Sequence, residues 1–279
     1  YDKYGFRVNT SGRKGIFEFG ENFFYTRSSR DNMGSSSWSN FITMPPTIPV
    51  YDANNPGGYG YGSSDRANTY ALNPVAQENI NESVNDEEYM YGNIFGQLNL
   101  FKDVFKAKLN VAYKSYYGIT NSLRKKGNWT MGQGDDAASV SSSMAKHHDI
   151  LIEHTYTFDK TFGKHDVDAM VGMSYNRFHQ ETRSATKLDP LTVGDKYITS
   201  ISAATGTTSA TGGYTESALI SYLGRVNYAY DDRYLVQLTA RRDGTSKLPM
   251  GNKWGNFYSG SVGWRISSED FFDVPAIND

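Results

Sequence analysis

Three histidines, His147, His148 and His154, come closest to a metal-ligand set in this chain. Imidazole holds a divalent ion only where several ring nitrogens converge. Adjacent residues on an extended strand point to opposite faces, so His147 diverges from His148, and His154 falls on the apolar parity of its segment. The spacing therefore argues against a metal site. Asp166 and Asp168 share one face of a second segment. They could bind a cation or repel an anionic solute, but a hydrated wall is the simpler reading. The chain has no cysteine, and no nucleophile elbow, zinc-protease, phosphate-loop or calcium-loop pattern is present. No catalytic residue and no cofactor are expected. What remains is aromatic. Tyr59 and Tyr61 lie in the run Gly57–Gly62, after the proline-stiffened stretch Met44–Asp52, and Trp129 follows Arg124, Lys125 and Lys126. Rings on long connections can stack on a ligand, so these three are the expected substrate-binding residues. Two other readings stay open: a structural plug or lid-support loop for 28–88, and a solvated patch for the basic run.

The elements that would carry these residues are strands. In 106–117, Ala107, Leu109, Val111 and Tyr113 oppose Lys106, Lys108, Asn110 and Lys114. In 165–178, Val167, Ala169, Val171, Met173 and Tyr175 oppose Asp166, Asp168, Gly172, Ser174 and Asn176. Near the C-terminus, Tyr258, Val262, Trp264 and Ile266 oppose Ser259, Ser261 and Arg265. Such alternation marks half-buried strands. It places strands at 3–10, 16–27, 89–101, 105–117, 147–158, 165–178, 216–230, 233–242 and 255–267. Several exceed the usual five or six residues and suit a tilted bilayer crossing of about 9–11.

The connections alternate between short (11–15, 102–104, 159–164, 231–232) and long (28–88, 118–146, 179–215, 243–254). Outer-membrane barrels have this asymmetry, with short periplasmic turns and longer extracellular loops. Tyr4, Phe6, Phe17, Phe19, Phe23, Tyr25, Tyr156, Phe158, Tyr228, Tyr230 and Tyr234 share the apolar parity near strand ends, as in an interfacial girdle. Loop 179–215 is rich in Ser, Thr, Ala and Gly and reads as mobile. The expectation is an all-β fold, a transmembrane antiparallel β-barrel segment in the bacterial outer membrane.

Other features bound the reading. Net charge is −2, which leaves no electrostatic footprint for nucleic acid. No apolar run of about 18 residues exists, and the mean hydropathy of −0.59 is compatible with alternating lipid and lumen faces. Residues 1–279 read as part of a single barrel domain. An odd strand count does not close a bacterial barrel, so the expectation is an internal segment. The last residues, 273–279, read as a turn leading to another strand.

The C-terminal third carries longer motifs. They are Ser221-Tyr222-Leu223-Gly224-Arg225-Val226-Asn227-Tyr228-Ala229-Tyr230-Asp231-Asp232-Arg233-Tyr234, then Arg241-Arg242-Asp243-Gly244-Thr245-Ser246, then Trp254-Gly255-Asn256-Phe257-Tyr258 and Gly263-Trp264-Arg265-Ile266-Ser267 through Phe271-Phe272. With Met44-Pro45-Pro46 and Leu72-Asn73-Pro74-Val75-Ala76, they resemble the SusC/RagA family of TonB-linked outer-membrane transporters of Bacteroidetes. Leu223 and Tyr258 depart from the Phe and Pro of that pattern. The resemblance implies a barrel of about 22 strands, with the plug, the N-terminal TonB-binding part and the last strands outside this chain. It also implies a SusD-like surface lipoprotein as lid, the TonB complex as energy source, and a glycan, oligosaccharide or peptide as solute. A passive porin and a soluble glycan-binding adhesin are the alternatives.

Overall fold

The computed structural model describes residues 1–32, 37–62, 72–127, 136–269 and 271–272. Nine strands form one open antiparallel sheet: β1 (Asp2–Lys14), β2 (Phe17–Asp31), β3 (Asn81–Leu100), β4 (Phe105–Arg124), β5 (Ser139–Phe162), β6 (His165–Leu188), β9 (Thr208–Tyr230), β10 (Tyr234–Thr245) and β11 (Trp254–Trp264). Each pairs with its sequence neighbour in this set, and β1 and β11 are the edges. The two-residue strands β7 (Thr192–Val193) and β8 (Lys196–Tyr197) form a separate small hairpin between β6 and β9. No helix among the described residues is long and apolar enough to cross a membrane.

Register sorts the side chains into two faces. Phe23, Gly92, Tyr113, Ile150, Arg177 and Ala218 align across six strands on one face. The opposite face carries Asn93, Asn110 and Glu153 on neighbouring strands, joined by amide donations of 3.2 and 3.1 Å. On the first face the lower part of most strands is apolar, interrupted by Thr10 and Lys14 on β1 and by His154 and Lys160 on β5. Ile94, Val171 and Leu238 are 61%, 58% and 59% exposed there, with no element of the described residues packed over them. A water-facing sheet would not leave such residues bare in its middle, whereas a lipid-facing one must. All eleven girdle aromatics lie on this face. Higher up the same face turns charged, with Arg27, Glu88, Arg177, Glu216 and Arg242. Glu21 is an exception inside the apolar band, where its carboxylate accepts from Thr10 Oγ1 at 3.1 Å.

The turns at the lower end are tight. Gly15 and Gly163 adopt φ of 60° and 62°, and Asp231 and Asp232 adopt 53° and 54°. Gly reaches the left-handed region without cost, and Asp is among the few other residues that visit it readily.

The upper ends differ from the sequence expectation. The strands do not stop at 117, 147, 178 and 216; β3 to β6 and β9 run 20 to 24 residues. Above the bilayer both faces of a strand meet water, so hydrophobic alternation disappears while backbone pairing continues. The expected loops shrink accordingly. Residues 179–188 and 208–215 are strand, and 189–207 folds back as a cap rather than a loose loop. Ala204 is buried with Leu123 and Val140 of β4 and β5, and Tyr197 and Ile201 pack against them. At the other end, β11 stops at Trp264 and Ile266 opens a short 3-10 turn, Ile266–Ser268, where the alternation had suggested strand to 267. The turn expected at 273–279 lies outside the described residues.

Candidate functional site

The polar face of the sheet is the lumen wall, and its upper half holds the candidate site. A cavity of about 400 Å³ lies there. It is lined by Asn85 of β3, Tyr116 and Thr120 of β4, Ser143 of β5, Thr182 of β6 and Thr211 of β9. Gly118 and Gly213 keep its floor low. Thr120 donates to Asn85 at 2.8 Å, and the Tyr116 hydroxyl donates to Glu87 at 2.9 Å. Immediately beside it, Tyr116 stacks on His147 at 4.7 Å and 17°, with Phe178 tilted beyond at 6.1 Å. The Tyr116 ring thus covers a face of the His147 ring. The arrangement offers hydroxyl and amide groups with an apolar margin. It can hold a polar solute by hydrogen bonds.

A second cavity of about 410 Å³ lies lower on the lumen face, beside Asp166, Asn227, Gln237 and Ser261. Two others fit a solute less well. One of about 320 Å³, formed by Phe23, Met90, Gly92, Ile94 and Val111, opens on the lipid-facing side. Another, of about 400 Å³, lies at the lower mouth beside Gly163, Lys164 and Asp231. There Lys164 Nζ donates to Asp231 at 2.7 Å and holds its carboxyl below the usual range.

The sequence-predicted residues are not brought together at the cavity. Tyr59 sits in the upper connection between β2 and β3, which is folded rather than loose. Helices α1 (Ser37–Thr43) and α2 (Pro74–Ile80) lie in it. The Asn73 side chain is 2% exposed at its hub. Its oxygen accepts from Val75 N and Ala76 N, both at 3.1 Å, capping α2. Its amide donates to Val50 O at 2.9 Å and Gly60 O at 2.8 Å. Tyr59 rests on Tyr51 at 5.7 Å, and its hydroxyl accepts from Asn79 at 2.9 Å. The Gly/Tyr run is thus used at least in part to shape the loop: a Cβ on Gly60 would stand 1.8 Å from Pro49 O. Tyr61 is half-buried in the same segment. Trp129 lies outside the described residues.

The basic run is not a bare patch. Arg124 pairs with Asp136, and Lys125 Nζ lies 2.6 Å from Glu82. His147 and His148 fall on opposite faces, as expected, and His148 stacks on His179 at 4.8 Å on the outer side. No group of three potential ligands occurs among the described residues. Asp168 accepts from Asn227 at 2.7 Å and Asp166 from Thr161 at 2.8 Å, so both carboxylates are tied into the wall. The cavity residues Thr120, Ser143, Thr182 and Thr211 escaped sequence reading because their segments read as loops. The available signal was hydroxyl alternation, as at Ser139, Ser141 and Ser143 or Thr182, Ser184 and Thr186.

A lipid-facing apolar band, a polar inner wall and hairpins of unequal height define the class: the chain is wall of an outer-membrane β-barrel. Comparison with known proteins narrows this. No protein-family model matches the chain. It is 27% identical over 91% of its length to TonB-dependent receptor P3 of Formosa agariphila, covering 26% of that protein. It is 26% identical over 85% of its length to TonB-dependent receptor SusC of Bacteroides thetaiotaomicron, covering 25% of that protein. The chain thus spans about a quarter of the length of these curated relatives. Among solved structures, the RagAB peptide importer in its open-open state matches with TM-score 0.76 and 17% identity, covering 96% of this chain and 30% of that one. The family resemblance carried by the 221–272 motifs is borne out, and the relatives are receptors and transporters, not enzymes.

Proposed function

We propose that the full-length protein is a TonB-energised importer, and that this chain is the part of its barrel that carries the lumen wall and extracellular rim. The observation that supports it is the hydroxyl-lined cavity, which opens on the lumen side above the membrane band of a sheet superposing on the RagAB importer. A solute held there would meet Tyr116, Thr120, Ser143 and Thr182 from the wall, and Tyr59, Tyr61 and Trp129 from the loops. A SusD-like lipoprotein would close over it, and TonB would act through the plug in the rest of the protein. The solute class is glycan, oligosaccharide or peptide, in keeping with relatives named for SusC and for peptide import.

The test is growth of wild-type and deletion strains on single glycans and peptides. A nutrient supporting only the wild type identifies the cargo, and identical growth on all of them removes the importer reading. With a cargo in hand, alanine at Tyr59, Tyr61 and Trp129 separates solute contacts from loop structure. Unchanged uptake in all three excludes them.

A further inference from the structure

Hydrogen bonds fix which way the protons point on one side of the upper cavity. Thr120 donates to Asn85 Oδ1 at 2.8 Å. The Tyr116 hydroxyl donates to Glu87 Oε1 at 2.9 Å, and the Asn85 amide donates to the same carboxylate. Asn85 is 6% exposed, so its amide is built into the wall. The reach from Tyr116 to Glu87 depends on Gly118, which faces Glu87 across the β3–β4 pair. A Cβ there would stand 2.5 Å from the Tyr116 hydroxyl. Glu87 is charged in this setting. Burial pushes its carboxyl up, but the donations from Asn85 and Tyr116, with Arg30 nearby, hold it below the usual range.

A hydroxyl that has given its proton to a neighbour offers a solute only lone pairs. Tyr116 and Thr120 therefore make the β3–β4 side of the cavity an acceptor. The cations close by are matched: Arg30 stands 4.0 Å from Glu87, and Arg183, which also lines the cavity, pairs with Glu181. On the β5–β9 side, no hydrogen bond among the described residues engages the hydroxyls of Ser143, Thr182 or Thr211. They can turn to donate or to accept. A solute hydroxyl, amide or ammonium can give a proton to Tyr116 or Thr120. A carboxylate or sulfate has none to give, leaves those oxygens unpaired, and stands beside the charge of Glu87.

We propose that Glu87 sets the solute selectivity of this cavity. By taking the protons of Tyr116 and Asn85 it makes one wall accept hydrogen bonds only. The site then takes solutes rich in O–H or N–H donors and rejects carboxylated and sulfated ones. Glu87 is a positioning residue that acts through Tyr116. The inference rests on the importer reading and narrows its cargo.

The experiment measures uptake by cells carrying the full-length receptor in the deletion background. Differential growth, as above, returns the nutrient from which matched probes are built. They are an oligosaccharide against its C6-oxidised uronate, or a peptide with Asn and Gln against the same peptide with Asp and Glu. The parent should favour the neutral member. Glu87→Leu releases the Tyr116 proton, so the neutral-to-acidic uptake ratio should fall about tenfold, the worth of one hydrogen bond to a charged group. Gly118→Ala moves the Tyr116 hydroxyl off Glu87 by a separate route and should shift the ratio the same way. Both variants should keep the heat-modifiable mobility of a folded barrel. A purely structural loss would slow both members of a pair and leave their ratio unchanged. A parent that imports the acidic member as fast as the neutral one, or a ratio within twofold of the parent in both variants, would overturn the role of Glu87 and leave the importer reading standing. Identical growth of wild-type and deletion strains on every nutrient would remove the importer reading and this inference with it.

Discussion

Substitution of Asn73 by alanine should melt the upper β2–β3 connection and leave the barrel wall intact. The side chain makes two capping bonds, from Val75 N and Ala76 N, and two donor bonds, to Val50 O and Gly60 O. Losing an Asn cap costs about 1 kcal/mol. Each donor bond contributes about 1 kcal/mol net, and the stranded carbonyls add to the loss where water cannot reach them. The total is about 3 kcal/mol, a factor of about 150 in the local opening constant. The Asn40–Gln77 amide pair at 3.1 Å, the Asn55 donation to Tyr59 O at 2.9 Å, the Tyr51–Tyr59 ring contact and the backbone bonds joining Val50 to Gly60 and Asp52 to Gly58 remain to hold the segment, so the loss is local opening and not unfolding. Hydrogen exchange on the full-length protein reads this directly. Amides of 50–60 and 75–80 should exchange about two orders of magnitude faster, while those of β3 and β4 keep their rates. Protection of 50–60 within threefold of the parent would refute the assignment of Asn73 as hub.

Three further outcomes follow from the same structure. Gly60→Ala places a methyl group 1.8 Å from Pro49 O, so it should open 49–62 to limited proteolysis as strongly as the Asn73 change, with α2 retaining its exchange protection. Leu123→Ala removes a buried partner of Val140 and Ala204; the loss of about 2–3 kcal/mol should appear as faster proteolysis within 189–207 and not in the turns at the opposite end. Glu269 accepts from Trp264 Nε1 at 3.0 Å, Tyr234 OH at 2.8 Å and Arg233 at 3.1 Å, and these hold its carboxyl below the usual range. A depressed folded-state value stabilises above the ordinary carboxylate pKa of about 4.3 and is lost as pH falls through the folded value. The urea midpoint of the parent should therefore exceed that of Glu269→Gln at neutral pH, with the gap closing below about pH 4. A gap that persists at the acid end would show that the carboxylate's charge is not what matters.

How far the sequence could be read depended on which solvent each face met. Between Phe105 and Tyr113, one face meets lipid and the other the lumen, so Ala107, Leu109 and Val111 alternate with lysine and asparagine, and the strand was legible. Between Ser139 and Ala145 neither face meets lipid, since the inner one lines the hydrated lumen and Val140 on the outer one lies under the 189–207 cap; Ser-Val-Ser-Ser-Ser-Met-Ala carries no hydrophobic period, although its backbone pairs without interruption to β4 and β6. The cavity lies in that second regime. Its residues were hidden for the same reason that makes them suitable, since a polar solute is held by side chains in a hydrated wall. Tyr59 shows what a run of glycines and tyrosines leaves open: the left-handed Gly57 and Gly58, with φ of 75° and 77°, and the hydrogen bond from Asn79 give those residues a part in shaping the loop, whatever the ring itself meets.

Wall height is the structural variable that ties these regions together. Where the strands are tall, in β3 to β6 and β9, the inner face above the membrane carries hydroxyls and the outer face carries the 189–207 cap. Where they are short, in β10 and β11, there is no upper wall. A barrel of uniform height would present the same chemistry all round. Unequal hairpins give one sheet a tall hydrated inner wall on one side and a low edge on another. The difference arises from strand length alone, since pairing and facing alternate in the same way throughout.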